Sequence, residues 1–325
     1  MLAAQNKPAL VRLATVAPSG TSYYLTLQQM GQKWRQAPGG GVSLIIYAGS
    51  SMGCEADIVR RMRQGQIQAA MLSVVGLSGI DKSVTALSSM PMMFRSMEEV
   101  GYVLEQLRPD LEKRLLEKGF VTLFWGDTGW VRLFSREPVV RPADLKKLRL
   151  FVWAGDNYQI DLMKALGFQP IPLETSDILP GLQTGLISAV PLPPFHALAT
   201  QAYAPAPHML ELNWVPLVGA TVVTSKAWES LPAASREALK KAAEEAGVQM
   251  QARARQEALE CVGIMTKRGL KIHTVSPGVE AEWRRLAEEV YPEIRGGIVP
   301  ADVFDKVRSL LADYRAGRGR PARLL

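Results

Sequence analysis

One stretch near the end of the chain constrains the fold more than any other feature. Between Pro232 and about Arg268, apolar residues recur at the spacing of a helix. These positions are Leu239, Ala243, Ala246, Met250, Ala254, Ala258, Val262 and Met265. About 36 residues at ~1.5 Å each give a helix of ~54 Å, longer than one small α/β lobe is wide. The pattern therefore predicts a helix that lies across two lobes. Two helices broken near Gly247 are the alternative, because an interior glycine costs about 1 kcal/mol.

The first part of the chain alternates strands with helices. Strand patterns at 11–16, 42–47 and 67–72 are separated by helical patterns that end in glycine-containing loops. Such alternation predicts a mostly parallel sheet with helices on its faces. A second run of strands and helices, between about 121 and 185, predicts another α/β unit in the middle of the chain.

The composition is that of an ordinary globular protein. Of the 325 residues, 47% are hydrophobic and 21% are charged, which excludes a disordered chain. No apolar run approaches the ~20 residues that a membrane-spanning helix needs. The net charge is +7, but it is spread thinly, and nucleic-acid binding is not expected. The most basic stretch falls at the C-terminus, where we predict a flexible tail at 316–325.

The two cysteines, Cys54 and Cys261, exclude a disulfide scaffold, and whether they pair stays open. Residues 1–9 lack the pattern of a signal peptide. They fit either a cytosolic start or the first residues of a mature exported chain behind an added methionine.

No motif predicts catalysis. None of the three histidines, His196, His208 and His273, has the neighbouring ligands of a metal site, so neither a metal nor a cofactor is expected. The sequence contains no nucleophile elbow, P-loop or dinucleotide fingerprint. Cys54 follows a glycine and opens a predicted helix, where a thiolate is favoured. A small buried core residue is the simpler interpretation of that cysteine.

Aromatic residues and methionines gather around the predicted strand ends. In open α/β folds these loops line the ligand crevice, so several such residues indicate an apolar pocket. They are Tyr23, Tyr24, Met90, Met92, Met93, Phe94, Trp125, Trp130, Phe151, Trp153, Phe195 and Trp214. Trp125 and Trp130 flank a predicted loop at 126–129. Arg132 lies just beyond it, either as an anion-binding group or as a plain surface arginine.

Six short motifs, taken together and in order, resemble the solute-binding proteins of TRAP transporters, of the C4-dicarboxylate-binding type. They lie at 65–70 (GQIQAA), 90–99 (MPMMFRSMEE), 142–150 (PADLKKLRL), 165–172 (ALGFQPIP), 181–187 (GLQTGLI) and 225–232 (SKAWESLP). Each motif is weak alone. The resemblance covers about residues 10–315.

The resemblance implies an α/β protein of the two-lobed periplasmic-binding-protein type II fold, with an interlobe cleft and a long helix spanning both lobes. We expect lobe I to comprise 10–130 plus 213–250, and lobe II to comprise 131–212 plus 251–315. The resemblance also implies a periplasmic protein, exported with a signal peptide that is absent from this chain. Such a protein hands a small-molecule ligand to the TRAP transporter's membrane subunits, has no transmembrane segment of its own and is not an enzyme.

The chain departs from the family pattern at two ligand-contacting positions. Phe151 stands where the family has an arginine that clamps a carboxylate, and Leu192 replaces a polar contact residue. Arg149, on the same face of the strand, and Arg132, which matches a second family arginine, are both candidates to replace the clamp. Burying a free carboxylate beside apolar residues costs several kcal/mol. We therefore expect a ligand that is more hydrophobic or aromatic than a C4-dicarboxylate, with a single acid group held by Arg132.

The candidate ligand-binding residues are Tyr23, Tyr24, Ser73, Met90, Phe94, Trp125, Trp130, Arg132, Phe151, Trp153, Leu192, Phe195 and Trp214. Two other classes of protein stay open. One is a ligand-sensing or delivery module coupled to another partner protein, which a large exposed apolar patch would indicate. The other is an enzyme on the same scaffold, for which Cys54 and His196 are the candidate pair.

Overall fold

The structure is a computed structural model that describes residues 9–39, 41–154 and 157–318. The predicted flexible tail lies outside the described residues from residue 319 onward. The strands are β1 (Ala9–Thr15), β2 (Val42–Tyr47), β3 (Ala69–Ser73), β4 (Phe120–Trp130), β5 (Arg132–Ser135), β6 (Arg149–Trp153), β7 (Gln169–Leu173), β8 (Ala189–Leu192), β9 (His208–Glu211), β10 (Pro216–Thr224) and β11 (Lys271–Thr274).

The α-helices alternate with these strands through most of the chain. They are α1 (Ser22–Arg35), α2 (Glu55–Arg63), α3 (Val74–Ser78), α4 (Met97–Glu117), α5 (Pro142–Leu145), α6 (Asn157–Ala165), α7 (Ile178–Thr184), α8 (Pro194–Ala199), α9 (Ser225–Ser230), α10 (Ala233–Lys267), α11 (Pro277–Glu289), α12 (Tyr291–Gly297) and α13 (Ala301–Arg315). Short 3-10 helices lie at Lys82–Leu87 and Thr175–Asp177.

The strands form two separate sheets, one for each lobe. The first has the order β2-β1-β3-β10-β4, with β1 parallel to β2 and β3, and β10 antiparallel to both of its neighbours. The second has the order β11-β9-β5-β8-β6-β7. Strand β10 returns to the first sheet after the chain has built most of the second, so the predicted second α/β unit is an insertion.

Helix α1 shows how the local sequence produces these elements. The hydroxyl of Thr21 accepts a hydrogen bond from the backbone of Tyr24 and caps the helix. The buried side chains Leu27, Met30 and Trp34 follow at the predicted helical spacing. The indole of Trp34 donates to the carbonyl of Leu239 at 3.0 Å, which ties α1 to α10.

Helix α10 runs without a break from Ala233 to Lys267, so the alternative of two helices broken near Gly247 is wrong. A β-carbon at Gly247 would lie 2.7 Å from the β-carbon of Phe124, and the glycine therefore permits a close approach to β4. Leu239 packs in an apolar cluster of the first lobe, whereas Met265 packs in a cluster of the second. The expectation of one helix spanning both lobes is confirmed.

Two chain segments that cross between the lobes lie side by side. The chain passes from β4 to β5 at Val131, and its return segment lies between β9 and β10. The amide of Val131 donates to the carbonyl of Val215 at 3.0 Å, so the two crossing segments are hydrogen-bonded to each other. The 126–129 segment, which we expected to be a loop, forms part of β4 because residues 126 and 127 pair with β10.

The apolar clusters bear on the lobe boundaries near the C-terminus. Trp283 of α11 packs with the second lobe, but Phe304 and Leu311 of α13 share a cluster with Leu107 of α4 in the first lobe. This packing favours assigning residues 290–311, approximately, to the first lobe. The sequence led us to expect all of 251–315 in the second lobe. The division of the chain into lobes stays a proposal.

Both cysteines, Cys54 and Cys261, are free thiols. Across the described ranges, no helix is long and apolar enough to span a membrane.

Candidate ligand-binding site

A cavity of about 100 Å³ lies at the ends of the first-lobe strands β1, β3 and β4. Helix α8, which follows strand β8 of the second sheet, and the long helix α10 complete its wall. Three of the predicted site residues line it: Tyr23, Ser73 and Phe195. The other lining residues are Thr15, Val16, Ala17, Glu55, Met71, Leu72, Phe124, Gly126, Asp127, Thr128, His196, Leu217, Val218, Gly219, Ala220, Thr221 and Met250.

Glu55, at the start of α2, is a buried carboxylate in this wall. It accepts hydrogen bonds from the amide of Ser73 at 2.6 Å, the hydroxyl of Ser73 at 2.5 Å and the amide of Gly76 at 2.9 Å. Burial raises the pKa of Glu55, and these hydrogen bonds oppose the rise. The donors of Ser73 are therefore committed to Glu55, and the pair holds β3 against α2.

Tyr23 and Phe195 form an aromatic wall, with ring centroids 4.7 Å apart. The hydroxyl of Tyr23 donates to the backbone carbonyl of Asp127 at 3.4 Å. Burial is the main cause that raises the pKa of Tyr23, so the phenol stays neutral. The carboxylate of Asp127 accepts from the amide of Gly129 at 3.1 Å, inside the same strand.

His196 adds a polar group without adding charge. Burial lowers the pKa of its imidazole to about 4, so the ring is neutral near pH 7. A neutral imidazole carries one donor and one acceptor. Among the lining residues that the structure describes, none is a lysine or an arginine. The cavity is therefore apolar, with neutral hydrogen-bonding groups and two carboxylates that are already hydrogen-bonded.

Phe151 and Leu192, the two residues that depart from the family pattern, lie away from this cavity. Phe151 is 1% exposed and Leu192 is 2% exposed, and both pack in one apolar cluster of the second lobe. Trp153 meets the ring of Phe151 edge-on, with centroids 5.0 Å apart. The side chain of Arg149 is bonded to the carbonyl of Gly185, at the outer end of its strand.

Five other predicted residues also lie outside the cavity lining. Met90 and Trp125 are buried in the first lobe, where Trp125 donates to Glu112 at 3.1 Å. Trp130 packs beside the same core. Tyr24 accepts a hydrogen bond from Gln28 on its own helix, and Trp214 packs on Trp283.

Phe94 and Arg132, the last two predicted residues, line a second cavity. Arg132 donates to the side-chain oxygen of Asn213 at 2.9 Å.

Of the polar residues in the wall, the sequence interpretation placed only Ser73 at the ligand site and missed Thr15, Glu55 and Asp127. Thr15 and Ser73 end parallel strands, which is where ligands bind in open α/β sheets, so position alone was a usable signal. The role of Glu55 depends on its contact with Ser73, 18 residues further along the chain, and no local pattern shows it.

The protein has two α/β lobes with a cavity between them, two adjacent crossing segments and one helix that spans both lobes. This arrangement defines the class of two-lobed solute-binding proteins. In the described ranges, no group of three or more His, Cys, Asp or Glu side chains forms a metal site.

Residues 13–296 match the family described as bacterial extracellular solute-binding protein, family 7, and the chain belongs to this family. Membership confirms the expectation of a TRAP-type solute-binding protein rather than an enzyme. The chain is 22% identical over 257 residues to the C4-dicarboxylate-binding periplasmic protein of Rhodobacter capsulatus, covering 78% of this chain and 77% of that protein.

Solved structures agree on the fold. A TRAP periplasmic solute-binding protein from Ralstonia eutropha H16, with bound (S)-2-acetolactate, superposes with a TM-score of 0.86 at 22% identity over 94% of this chain and 99% of that one. The sugar-acid-binding protein of Advenella mimigardefordensis, in complex with galactonate, gives a TM-score of 0.87 at 14% identity, with 94% and 99% covered. At these identities the likeness shows the fold alone.

Proposed function

We propose that this chain binds a small, mostly apolar organic solute in the cavity beside Tyr23, Phe195 and His196, and delivers it to the membrane subunits of a TRAP transporter. The observation that carries the proposal is the wall itself. It is apolar, its imidazole is neutral, and its described residues include no cationic side chain.

The wall argues against a free acid group in this cavity. The wall already contains the carboxylates of Glu55 and Asp127. A third carboxylate here would lose its hydration without gaining a counterion, which costs several kcal/mol. Arg132, which we expected to hold an acid group of the solute, lines the other cavity.

The solute we propose has a flat apolar part and one uncharged polar group. Tyr23 and Phe195 offer aromatic surface to the flat part. His196 offers a donor and an acceptor to the polar group. The relatives from Ralstonia eutropha and Advenella mimigardefordensis bind organic acids, so the proposed selectivity distinguishes this chain from them.

Delivery requires that the lobes separate and close. The crossing segments around Val131 and Val215 are two short connections, which is the arrangement of a hinge. A solute that contacts both α8 and the first-lobe strands favours the closed state by the difference in its affinity for the two states. We propose that the protein works in the periplasm, as the name of its Rhodobacter capsulatus relative states for that protein.

The test compares probes that share one skeleton and differ in charge. Benzamide and benzoate are titrated into the protein by calorimetry, with succinate as a dicarboxylate. We expect benzamide to bind more tightly than benzoate, and succinate not to bind in this cavity. Mass spectrometry of the molecule released on denaturation identifies any solute that co-purifies.

Two variants make the test specific to the site. Phe195→Leu removes part of the aromatic wall and is expected to weaken benzamide binding about tenfold, the factor that corresponds to ~1.4 kcal/mol. Phe168→Leu is the matched control, because Phe168 packs in the second lobe beside Lys146. Tighter binding of benzoate than of benzamide, lost in Phe195→Leu, would contradict the proposed solute class and leave the family function intact.

A further inference from the structure

A second cavity, of about 600 Å³, lies against the return segment between β9 and β10. Its wall is mostly polar, in contrast to the first cavity. The charged and amide side chains that line it are Arg95, Arg132, Arg284, Glu211, Glu280 and Asn213. Three arginines against two glutamates leave an excess of positive charge, which favours an anion.

The wall of this cavity comes from both lobes. Arg95 belongs to the first lobe, Arg132 begins strand β5 of the second, and Asn213 lies in the return segment. Arg284 of α11 donates to the carbonyl of Met92 at 3.1 Å, so the second lobe already contacts the first at this point.

Arg132 is the cation in this cavity with the least compensation. Its guanidinium Nη1 donates to the side-chain oxygen of Asn213 at 2.9 Å, and this oxygen belongs to a neutral amide. Among the described residues, no carboxylate oxygen lies within 4.0 Å of the Arg132 guanidinium, the distance at which an ion pair forms. Glu211 attracts it from further away, and burial lowers the pKa of its guanidinium.

The other charged residues are arranged differently. Arg284 forms an ion pair with Glu280 at 3.0 Å on its own helix. Arg95 is exposed at the edge of the cavity. A guanidinium has five N–H donors, and one donor of Arg132 is hydrogen-bonded to Asn213. The remaining donors match the two oxygens of a carboxylate or a phosphate.

We propose that this second cavity binds an oxyanion, the carboxylate or phosphate group of a small solute, with Arg132 as the main contact. The bound anion bridges the lobes beside the hinge segment at Asn213. It therefore favours the relative lobe orientation that places Arg95 and Arg132 around it. This site is separate from the apolar cavity and does not depend on the solute bound there.

Calorimetry with succinate and with inorganic phosphate tests the proposal on the full chain. We expect saturable binding of at least one of them in the millimolar range, weakened by added salt. Binding of succinate alone indicates a carboxylate site, and binding of phosphate alone indicates a phosphate site. Absence of saturable binding for both anions would overturn the proposal.

Variants locate the anion. Arg132→Gln is expected to weaken binding about tenfold or more, the factor of one lost charge-assisted hydrogen bond. Arg132→Lys keeps the positive charge but loses the two-pronged guanidinium, so its anion affinity should lie between those of the wild type and Arg132→Gln. It replaces Arg132→Gln as the test if that variant does not fold. The matched control is Arg285→Gln, an exposed neighbour of Arg284 outside the cavity. Equal losses in the control and in Arg132→Gln, or no loss in Arg132→Gln, would refute the site.

Discussion

The neutral imidazole of His196 makes the stability of this protein depend on pH in a defined window. Burial lowers the pKa of His196 from 6.5 to about 4 in the folded chain. The unfolded chain therefore binds more protons than the folded chain between these two values, and stability rises with pH there. His196 leaves the free energy of unfolding unchanged above about pH 6.5. It lowers that free energy as the pH falls towards 4, and the loss is complete below 4.

The size of the effect follows from the shift. A pKa difference between 6.5 and about 4 corresponds to ~3 kcal/mol at about 1.4 kcal/mol per unit. Between about pH 7 and pH 4.5, we expect His196 to remove ~2–3 kcal/mol. That is a large part of the 5–15 kcal/mol by which ordinary domains are stable.

Urea unfolding of the wild type and of His196→Gln, at both pH values, measures this contribution. Glutamine is polar and does not titrate, so the difference between the two pH dependences isolates His196. Glu55, whose pKa burial raises, titrates in both proteins and cancels in the comparison. His208→Gln shows the effect of losing a histidine away from the cavity, because His208 lies on β9, next to the edge strand β11, and contacts His273 at 2.8 Å. Burial lowers the pKa of His208 as well, so this variant is expected to reduce the pH dependence without changing benzamide binding.

A refuting result would be an equal loss of stability in the wild type and in His196→Gln. It would mean that the imidazole is hydrated in the folded chain, and that the cavity wall is more polar than we describe. The solute gives a second readout. Because a charged imidazole opposes an apolar ligand, benzamide binding should weaken below about pH 5 in the wild type and not in His196→Gln.

Two further predictions concern packing. Gly247→Ala gains ~1 kcal/mol of helix propensity, but its β-carbon would lie 2.7 Å from Phe124, and such overpacking costs about 1–3 kcal/mol. We therefore expect ~1 kcal/mol of net destabilisation, measured by urea unfolding. A variant more stable than the wild type would contradict the close approach of α10 to β4. Phe151→Arg restores the residue type of the family pattern, but Phe151 is only 1% exposed, so the variant buries an unpaired guanidinium. We expect ~3 kcal/mol or more of destabilisation and no new carboxylate binding. Tight succinate binding by the variant would instead place position 151 at the ligand.

The fold was predictable because its signals are local and repeated. The apolar stripe of α10 and the alternation of β1 to β3 with α1 and α2 each extend over many residues, so single exceptions such as Gly247 do not hide them. The loop expected at 126–129 failed for the opposite reason. Its glycines indicate a turn locally, but pairing with β10, about 90 residues away, extends the strand through them.

The site was predictable only in part because a sequence gives positions and not side-chain directions. Tyr23, Ser73 and Phe195, which line the apolar cavity, were predicted because they lie near strand ends. Trp125 was predicted for the same reason, but its side chain points away from the cavity, towards Glu112. Which face of a strand meets the cavity depends on packing between elements that are distant in the chain.

The different roles that we propose for the two cavities follow from the placement of charge. The wall beside Tyr23 and His196 has no described cation, whereas Arg132 and Arg284 line the cavity beside the hinge segment. An anion that enters the protein therefore gains a counterion in the second cavity and only desolvation in the first. If the lobes close around an apolar solute, the anion beside the hinge adds to that closure without competing for the same wall. The two ligands should then bind more tightly together than apart, and by linkage each should raise the affinity for the other by the same factor.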